Sequence, residues 1–318
     1  MDHHARPVVL RATELTRRYG DLVAVDRLSL EVRRGEILGF LGPNGAGKTT
    51  TLTMLCGLLR PDSGRIDIDG AADGAGGRRG RPTVGVSPQA TAIWEMLTPF
   101  EQLAFMGRMY DLTPAAARAR AEALISAFGL EEKRNRLGRT LSGGMQRRLN
   151  IALALVHEPD ILFLDEPQAG LDPQSRVLVR DYIRGLAGRT TIVITTHDMD
   201  EAERLSDRVC IIDHGRVLAL DTVQRIKDQL GEGDLFEIEV GPELREALRP
   251  LVERLERERR YVTMQGSVLR FTSEDGGELL AEAFQTAKRL GLKIEHLGMR
   301  RKTLEDVFIR LTGRGLRE

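Results

Sequence analysis

The sequence predicts an α/β fold with a largely parallel sheet, followed by a smaller α+β domain. Three observations carry this expectation. Short apolar strands alternate with longer helical stretches up to Leu230, a glycine-rich turn at Gly42 joins a strand to a helix, and after Leu230 the texture changes to a compact set of short elements. A length of 318 residues accommodates two domains of about 150 residues each. The expected division is 1–230 and 231–318. Hydrophobic residues make up 41% and charged residues 30%, the balance of a soluble protein with a real core. Lys plus Arg and Asp plus Glu both number 47, so the net charge is zero, which argues against a dedicated nucleic-acid binder. Aromatics at 4% argue against a base-stacking platform. Cys56 and Cys210 are too few for a disulfide framework and fit a reducing compartment. No stretch approaches the ~20 apolar residues of a membrane span, and the N-terminal MDHHARP lacks the apolar core of a secretory signal, so a cytoplasmic protein is expected.

Taken in order, Val8–Ala12, Ser29–Val32 and Glu36–Leu41 read as strands, with a helix over Thr49–Leu59 and a strand over Arg65–Asp69. Gly70–Pro82, rich in Gly and Arg without periodicity, reads as an exposed loop. Pro99–Phe128 is helical, with Leu103, Met106 and Tyr110 spaced by three and four. A helix opens at Ser142, strand Ile161–Leu164 follows, and helix Pro173–Leu186 leads to strand Thr191–Thr195. Helix Asp200–Leu205, strand Arg208–Ile212 and a turn at His214-Gly215 complete the block. Beyond a polar GEGD hinge, Leu235–Val240 is a strand and Pro242–Glu256 a helix with Leu244, Leu248, Leu251 and Leu255 on one face. Tyr261–Gln265 and Val268–Thr272 form a hairpin about Gly266-Ser267. Helix Gly277–Leu290 presents Leu280, Phe284, Ala287 and Leu290, followed by strand Lys293–Leu297 and helix Thr303–Thr312. The order βαββαβα is ferredoxin-like with one added helix. Glu237, Glu239, Arg270 and Glu295 read as solvated strand faces.

The chemistry concentrates in a few motifs. Gly42, Pro43, Asn44, Gly45, Ala46, Gly47, Lys48 and Thr49, followed by Thr50, match G-x-x-x-x-G-K-[ST] between a strand and a helix. Glycines let backbone N–H groups approach phosphates, the helix N-terminus adds its positive end, Lys48 supplies charge to the β/γ-phosphates, and Thr49 is a Mg²⁺ ligand. The chain uses 41 Arg and only 6 Lys, yet Lys stands here. Ile161-Leu-Phe-Leu-Asp165-Glu166 is an apolar strand ending in two carboxylates, by itself read more simply as a core strand with a solvated end. Beside a phosphate loop, Asp165 becomes a Mg²⁺ partner and Glu166 a general base for water. Leu141-Ser142-Gly143-Gly144-Met145-Gln146-Arg147-Arg148 opens a helix with a second anion site; a glycine-rich cap is the plainer alternative.

With this last motif the chain resembles the ATP-binding cassette family. The resemblance covers about residues 8–225 and implies a P-loop ATPase in which two copies meet head to tail, each ATP lying between Lys48 of one chain and Ser142, Gly143 and Gly144 of the other. It further implies that Gln89 senses Mg²⁺ and a membrane partner, that Asp172 in Ala169-Gly-Leu-Asp172 couples the two sites, that His197 contacts the γ-phosphate, and that Tyr19 stacks on adenine. A lone His or a Tyr near a turn is in itself commonplace. Two positions depart from the family pattern: Met145 where Gln is usual, and Gln168 where a small hydroxyl residue is common. Within the family, LSGGMQRRL, the run Thr195–Glu203 and the tail Thr303–Gly313 are similar to exporter ATPases of the daunorubicin-resistance type. That likeness implies export of a drug-like, lipid or other hydrophobic substrate through a separate ABC-2 type permease, an ATPase homodimer on the cytoplasmic face of the membrane, ATP with Mg²⁺, and no nucleic-acid partner. An importer ATPase and a soluble ATPase acting on nucleic acid or ribosomes are the alternatives.

Overall fold

The computed structural model describes residues 6–68, 82–231, 233–240, 246, 248–257, 261–265, 268–274, 276–289, 291 and 293–312. The chain divides into two units, Met1–Asp221 and Thr222–Glu318. In chain order the first holds β1 (Val8–Tyr19), β2 (Leu22–Arg33), β3 (Ile37–Leu41), α1 (Lys48–Leu55), β4 (Ser63–Ile68), β5 (Val84–Ser87), α2 (Pro99–Met109), α3 (Pro114–Ala127), α4 (Gly143–Leu155), β6 (Ile161–Asp165), α5 (Pro173–Leu186), β7 (Thr191–Thr196), α6 (Met199–Leu205), β8 (Arg208–Asp213) and β9 (Arg216–Thr222), which crosses the division.

A six-stranded sheet in the order β5-β6-β7-β3-β8-β9 forms the centre, with β5, β6, β7, β3 and β8 parallel to their neighbours. Every residue of β3 and β6 is buried, as continuous apolar runs in a sheet covered on both faces require. Alternation along β6 splits the core. Ile161 and Phe163 pack with Leu52, Met54 and Leu55 of α1, while Leu162 and Leu164 pack with Leu103, Phe128, Leu149 and Val179 from α2 to α5. A second, antiparallel sheet has the order β2-β1-β4.

Several expectations change. Val8–Ala12 and Ser29–Val32 are fragments of twelve-residue strands; bulges in β1, with Glu14 at φ +49°, break the two-residue alternation that marks a strand in sequence. Pro99–Phe128 is two helices, because Asp111 turns left-handed at φ +64° and Thr113 caps a new helix with Pro114 in its first turn. Strands β5 and β9 were not anticipated. The expected loop falls outside the described residues except for Pro82.

The second unit holds α7 (Val223–Asp228), β10 (Asp234–Val240), α8 (Arg249–Arg257), β11 (Val262–Gln265), β12 (Val268–Ser273), α9 (Gly276–Arg289), β13 (Ile294–Arg300) and α10 (Leu304–Thr312). Its antiparallel sheet has the order β11-β12-β10-β13, the ferredoxin-like arrangement. The boundary lies at 221/222 rather than 230/231 because α7 packs on α10: Arg310 donates to Gln229 O, Lys302 to Gly231 O at 2.6 Å, and Thr272 Oγ1 to Leu230 O at 2.8 Å. The buried face of α9 is Leu279, Ala283 and Ala287, with Leu280 packed against it; of the expected stripe Ala287 is buried and Phe284 is exposed. Leu290, Leu244 and the Gly266-Ser267 turn lie outside the described residues. Glu237 and Arg270 are not merely solvated: Glu237 accepts from Arg270 Nε at 2.5 Å and Arg300 at 3.0 Å.

Asp306, 1% exposed, joins β13 to the start of α10 by accepting from Arg300, Thr303 N and Thr303 Oγ1. Burial acts to raise its pKa, but the Arg300 guanidinium and the Thr303 donors outweigh it and hold the carboxyl below the usual value. A depressed folded pKa means that this contribution is full above the unfolded value of about 3.9 and fades as pH falls through the folded value. Asp306→Asn should therefore speed amide exchange in β13 and α10 at pH 7 by an amount equivalent to about 1–3 kcal/mol. The excess over wild type should shrink as pH is lowered below about 3.9; a difference that persists undiminished assigns the effect to something other than this carboxylate.

Candidate functional site

Because β3, β7 and β6 are adjacent and parallel, their carboxyl ends deliver Gly42, Thr196-His197 and Asp165-Glu166 to one edge of the sheet, where open α/β sheets form their crevices. The loop from Gly42 to Gly47 links β3 to α1. Gly47 has φ +98°, and a Cβ there would lie 2.4 Å from Ala24 O, so the backbone of β2 presses on the loop. Gly47 gives α1 no side-chain cap, leaving the first N–H groups of the helix, at Lys48, Thr49 and Thr50, as an anion cradle. Lys48 Nζ donates to Gly42 O at 2.8 Å and Pro43 O at 3.0 Å and stands 3.8 Å from Glu166 Oε1. Burial pulls the ammonium pKa down, opposed by the Glu166 and Asp165 carboxylates.

Glu166 follows β6 in a left-handed conformation, φ +46°, a strain that buried donors must hold. Its N–H bonds Thr195 Oγ1 at 2.9 Å, and its Oε1 lies 3.1 Å from His197 Nδ1. The Thr195 hydroxyl itself donates to Asp165 Oδ1. Lys48, Glu166 and His197 thus form one connected cluster, with Thr195 on the neighbouring strand holding the Asp165 carboxylate and the Glu166 backbone N–H. Glu166 is nearly buried and His197 half exposed, so the cluster faces outward through the imidazole.

Arg147, four residues into α4 and 4% exposed, donates to five backbone carbonyls: Pro88 at 2.6 Å, Gln89 at 2.9 Å, Pro167 at 3.4 Å, Glu166 at 2.8 Å, and Asp165. It ties the Gln89 segment after β5 to the end of β6, while the Gln89 side chain remains exposed. Sequence reasoning missed Thr195 and Arg147. Their only signals were adjacency to His197 and a place inside the LSGGMQRR run.

The remaining expected residues stand apart from the Lys48 cluster. Ser142 caps α4, accepting from Met145 N at 3.3 Å, and is exposed. A Cβ at Gly143 would meet nothing within 4 Å, and one at Gly144 would meet Leu171 at 3.5 Å. Asp172 caps α5 through Ser175 N and Oγ, at 2.9 and 2.7 Å, which lowers its pKa. Tyr19 ends β1 at the hairpin tip, 49% exposed. For Mg²⁺, no cluster of three His, Cys, Asp or Glu exists among the described residues. Mg²⁺ held by one or two carboxylates plus substrate phosphates needs no such cluster; Thr49 is exposed at the start of α1 and Asp165 is buried at the end of β6.

Comparison with known proteins settles the family. The ABC transporter family model matches residues 25–169. The chain is 41% identical over 316 residues to a Nod factor export ATP-binding protein I of Ralstonia nicotianae, covering 98% of this chain and 95% of that protein. A daunorubicin resistance ATP-binding protein of Streptomyces coeruleorubidus is 40% identical over 300 residues, 93% of each. The chain belongs to the ABC transporter ATP-binding protein family. Among solved structures, the ATP-binding subunit of an ABC transporter matches with TM-score 0.63 at 31% identity over 70% of this chain and 93% of that one. A dimeric ATP-binding cassette in a post-hydrolysis state with ADP and phosphate matches with TM-score 0.60 at 25% identity, over 67% and 98%. The protein is an ABC ATPase with exporter-type relatives, and the ferredoxin-like unit lies within the length they share.

Gln168 lines a cavity of about 160 Å³ with Glu166, His197 and Arg176, and both of its amide atoms are buried without a hydrogen-bond partner; nothing in the structure explains the glutamine there. No helix among the described residues is long and apolar enough to cross a membrane.

Thr195→Val should leave ATP affinity within about threefold while lowering turnover about ten- to hundredfold, the worth of a hydrogen bond to a charged group. Unchanged steady-state hydrolysis in that variant would show that Thr195 does not position the carboxylates.

Proposed function

We propose that this ABC ATPase is the motor subunit of an exporter, with two copies binding two ATP head to tail and driving a separate ABC-2 type permease from the cytoplasmic face of the membrane. The observation that carries it is the Lys48–Glu166–His197 cluster at the open N-terminus of α1. Bound ATP would draw the Lys48 ammonium from the Gly42 and Pro43 carbonyls to its β/γ-phosphates. Glu166 accepts a proton from water as the water attacks the γ-phosphate. His197, held by Glu166, donates toward the γ-phosphate oxygens. Mg²⁺, when bound, neutralises phosphate charge, and Thr49, Asp165 and Gln89 are the residues to hold it.

The uncapped space over Gly143 and the exposed Ser142 hydroxyl suit an approach from outside this chain, which supports completion of each site by the partner's Ser142, Gly143 and Gly144, with Asp172 beside them. Trp94, Met96, Phe105 and Met109 form an exposed apolar surface on and before α2, with Trp94 and Phe105 edge to face at 5.7 Å. A patch of this kind on a soluble chain marks an interaction site, and it follows directly on the Gln89 segment that Arg147 ties to the catalytic strand. The substrate class proposed, drug-like, lipid or otherwise hydrophobic, follows the exporter-type relatives.

Glu166→Gln should retain ATP binding and reduce turnover about 10²–10⁴-fold, the range for a general base; near-normal hydrolysis removes Glu166 from that role. Mixing Lys48→Ala and Ser142→Ala chains should leave at most one intact composite site per mixed dimer. Wild-type specific activity in that mixture would contradict the head-to-tail arrangement.

A further inference from the structure

The hairpin that ends in Tyr19 is braced by residues that no motif includes. The β1–β2 pairing carries a bulge near its end, where Arg17 pairs with Val25 and Arg18 with Val23. The Arg18 N–H takes Asp62 Oδ2 as its acceptor at 2.7 Å. The other oxygen of the same carboxylate, Oδ1, accepts from Arg17 Nη1 at 2.7 Å, and Asp62 N donates back to Thr16 O at 2.9 Å. Asp62 is therefore stitched to β1 at three successive residues. The Arg17 side chain meets the Tyr19 ring: its guanidinium carbon lies 5.0 Å from the ring centroid, within cation–π range. Arg17 is one-quarter exposed, whereas Tyr19 is half exposed. Across the bulge on β2, between Val23 and Val25, Ala24 O abuts the phosphate loop at Gly47, which sets the ring at a fixed place relative to that loop.

We propose that Arg17, clamped by Asp62, is a positioning residue for the nucleobase: it braces one face of Tyr19 so that the opposite face is held ready for adenine. The proposal rests on Tyr19 being the nucleobase platform. An unbraced aromatic at a hairpin tip would lose rotamer freedom on stacking; a ring already held by a guanidinium, itself pinned by a carboxylate, has lost most of that freedom beforehand. The aromatic-on-cation contact also distinguishes this brace from a plain charge effect, since its consequence must pass through the ring and not reach the phosphates directly.

The test is a double-mutant cycle on the full chain, with ADP and inorganic pyrophosphate as the two probes and dissociation constants read by calorimetry. Arg17→Gln should weaken ADP about two- to fivefold, the worth of an exposed cation–π contact, and leave pyrophosphate unchanged. Asp62→Asn should show the same pattern, Arg17→Lys should recover most of the ADP affinity, and Arg17→Gln should cost nothing further in a Tyr19→Ala background. Equal loss for ADP and pyrophosphate, or an undiminished Arg17 effect without the ring, would overturn the proposal. If Tyr19→Ala weakens ADP but Arg17→Gln does not, the brace alone fails. If Tyr19→Ala leaves ADP affinity intact, the reading of Tyr19 as the platform fails with it.

Discussion

A guanidinium buried among backbone carbonyls organises the edge of the sheet that carries Asp165 and Glu166. Charge taken out of water is tolerated only when its donors are satisfied, and Arg147 meets that demand with carbonyls from two segments distant in sequence, Pro88-Gln89 and Asp165 to Pro167. Burial lowers the pKa of the guanidinium, countered by the nearby Asp165 and Glu166 carboxylates. As Ser142 caps α4, the helix that presents this exposed serine is the same rod that carries, at its fifth residue, the guanidinium holding the carbonyls of Glu166 and Gln89. A shift of α4 would have to carry those carbonyls along or leave the charge unpaired. That constraint ties the position of Ser142 to the backbone that carries Glu166.

The same economy appears on the sheet. Parallel strands place their carboxyl ends together, so neighbouring β6, β7 and β3 juxtapose the Glu166 carboxylate, the His197 imidazole and the Gly42–Lys48 loop without long connections. The left-handed Glu166 is where the chain accepts local strain; Thr195 supplies two hydrogen bonds that hold the turn, one to each carboxylate residue. Lys48 is held over the carbonyls of its own loop and near Glu166, so its charge is already compensated before any phosphate arrives.

What the sequence disclosed depended on whether the cause was local. The glycine-rich loop between β3 and α1, the strand ending in Asp165-Glu166 and the helix opened by Ser142 are contiguous motifs, and the structure forms each where the sequence places it. Thr195 and Arg147 matter through neighbours on other strands, and spacing along the chain carries no trace of that. The long helix of 99–128 breaks because Thr113-Pro114 restarts it, a signal present in the sequence but outweighed by the apolar periodicity. On α9 the pattern places Ala287 correctly but assigns Phe284 to the core, because Phe284 is large and apolar yet exposed, while small Ala283 fills the interior. The domain boundary moved because α7 is too short and polar to reveal by pattern that it packs on α10.

Sedimentation of the Glu166→Gln chain with and without Mg-ATP tests the central claim most directly. The account predicts a monomer with ADP and a dimer with ATP, the dimer abolished when a bulky side chain replaces Gly143. A chain that stays monomeric at saturating ATP, or a dimer indifferent to Gly143→Arg, would contradict completion of the site by a second copy.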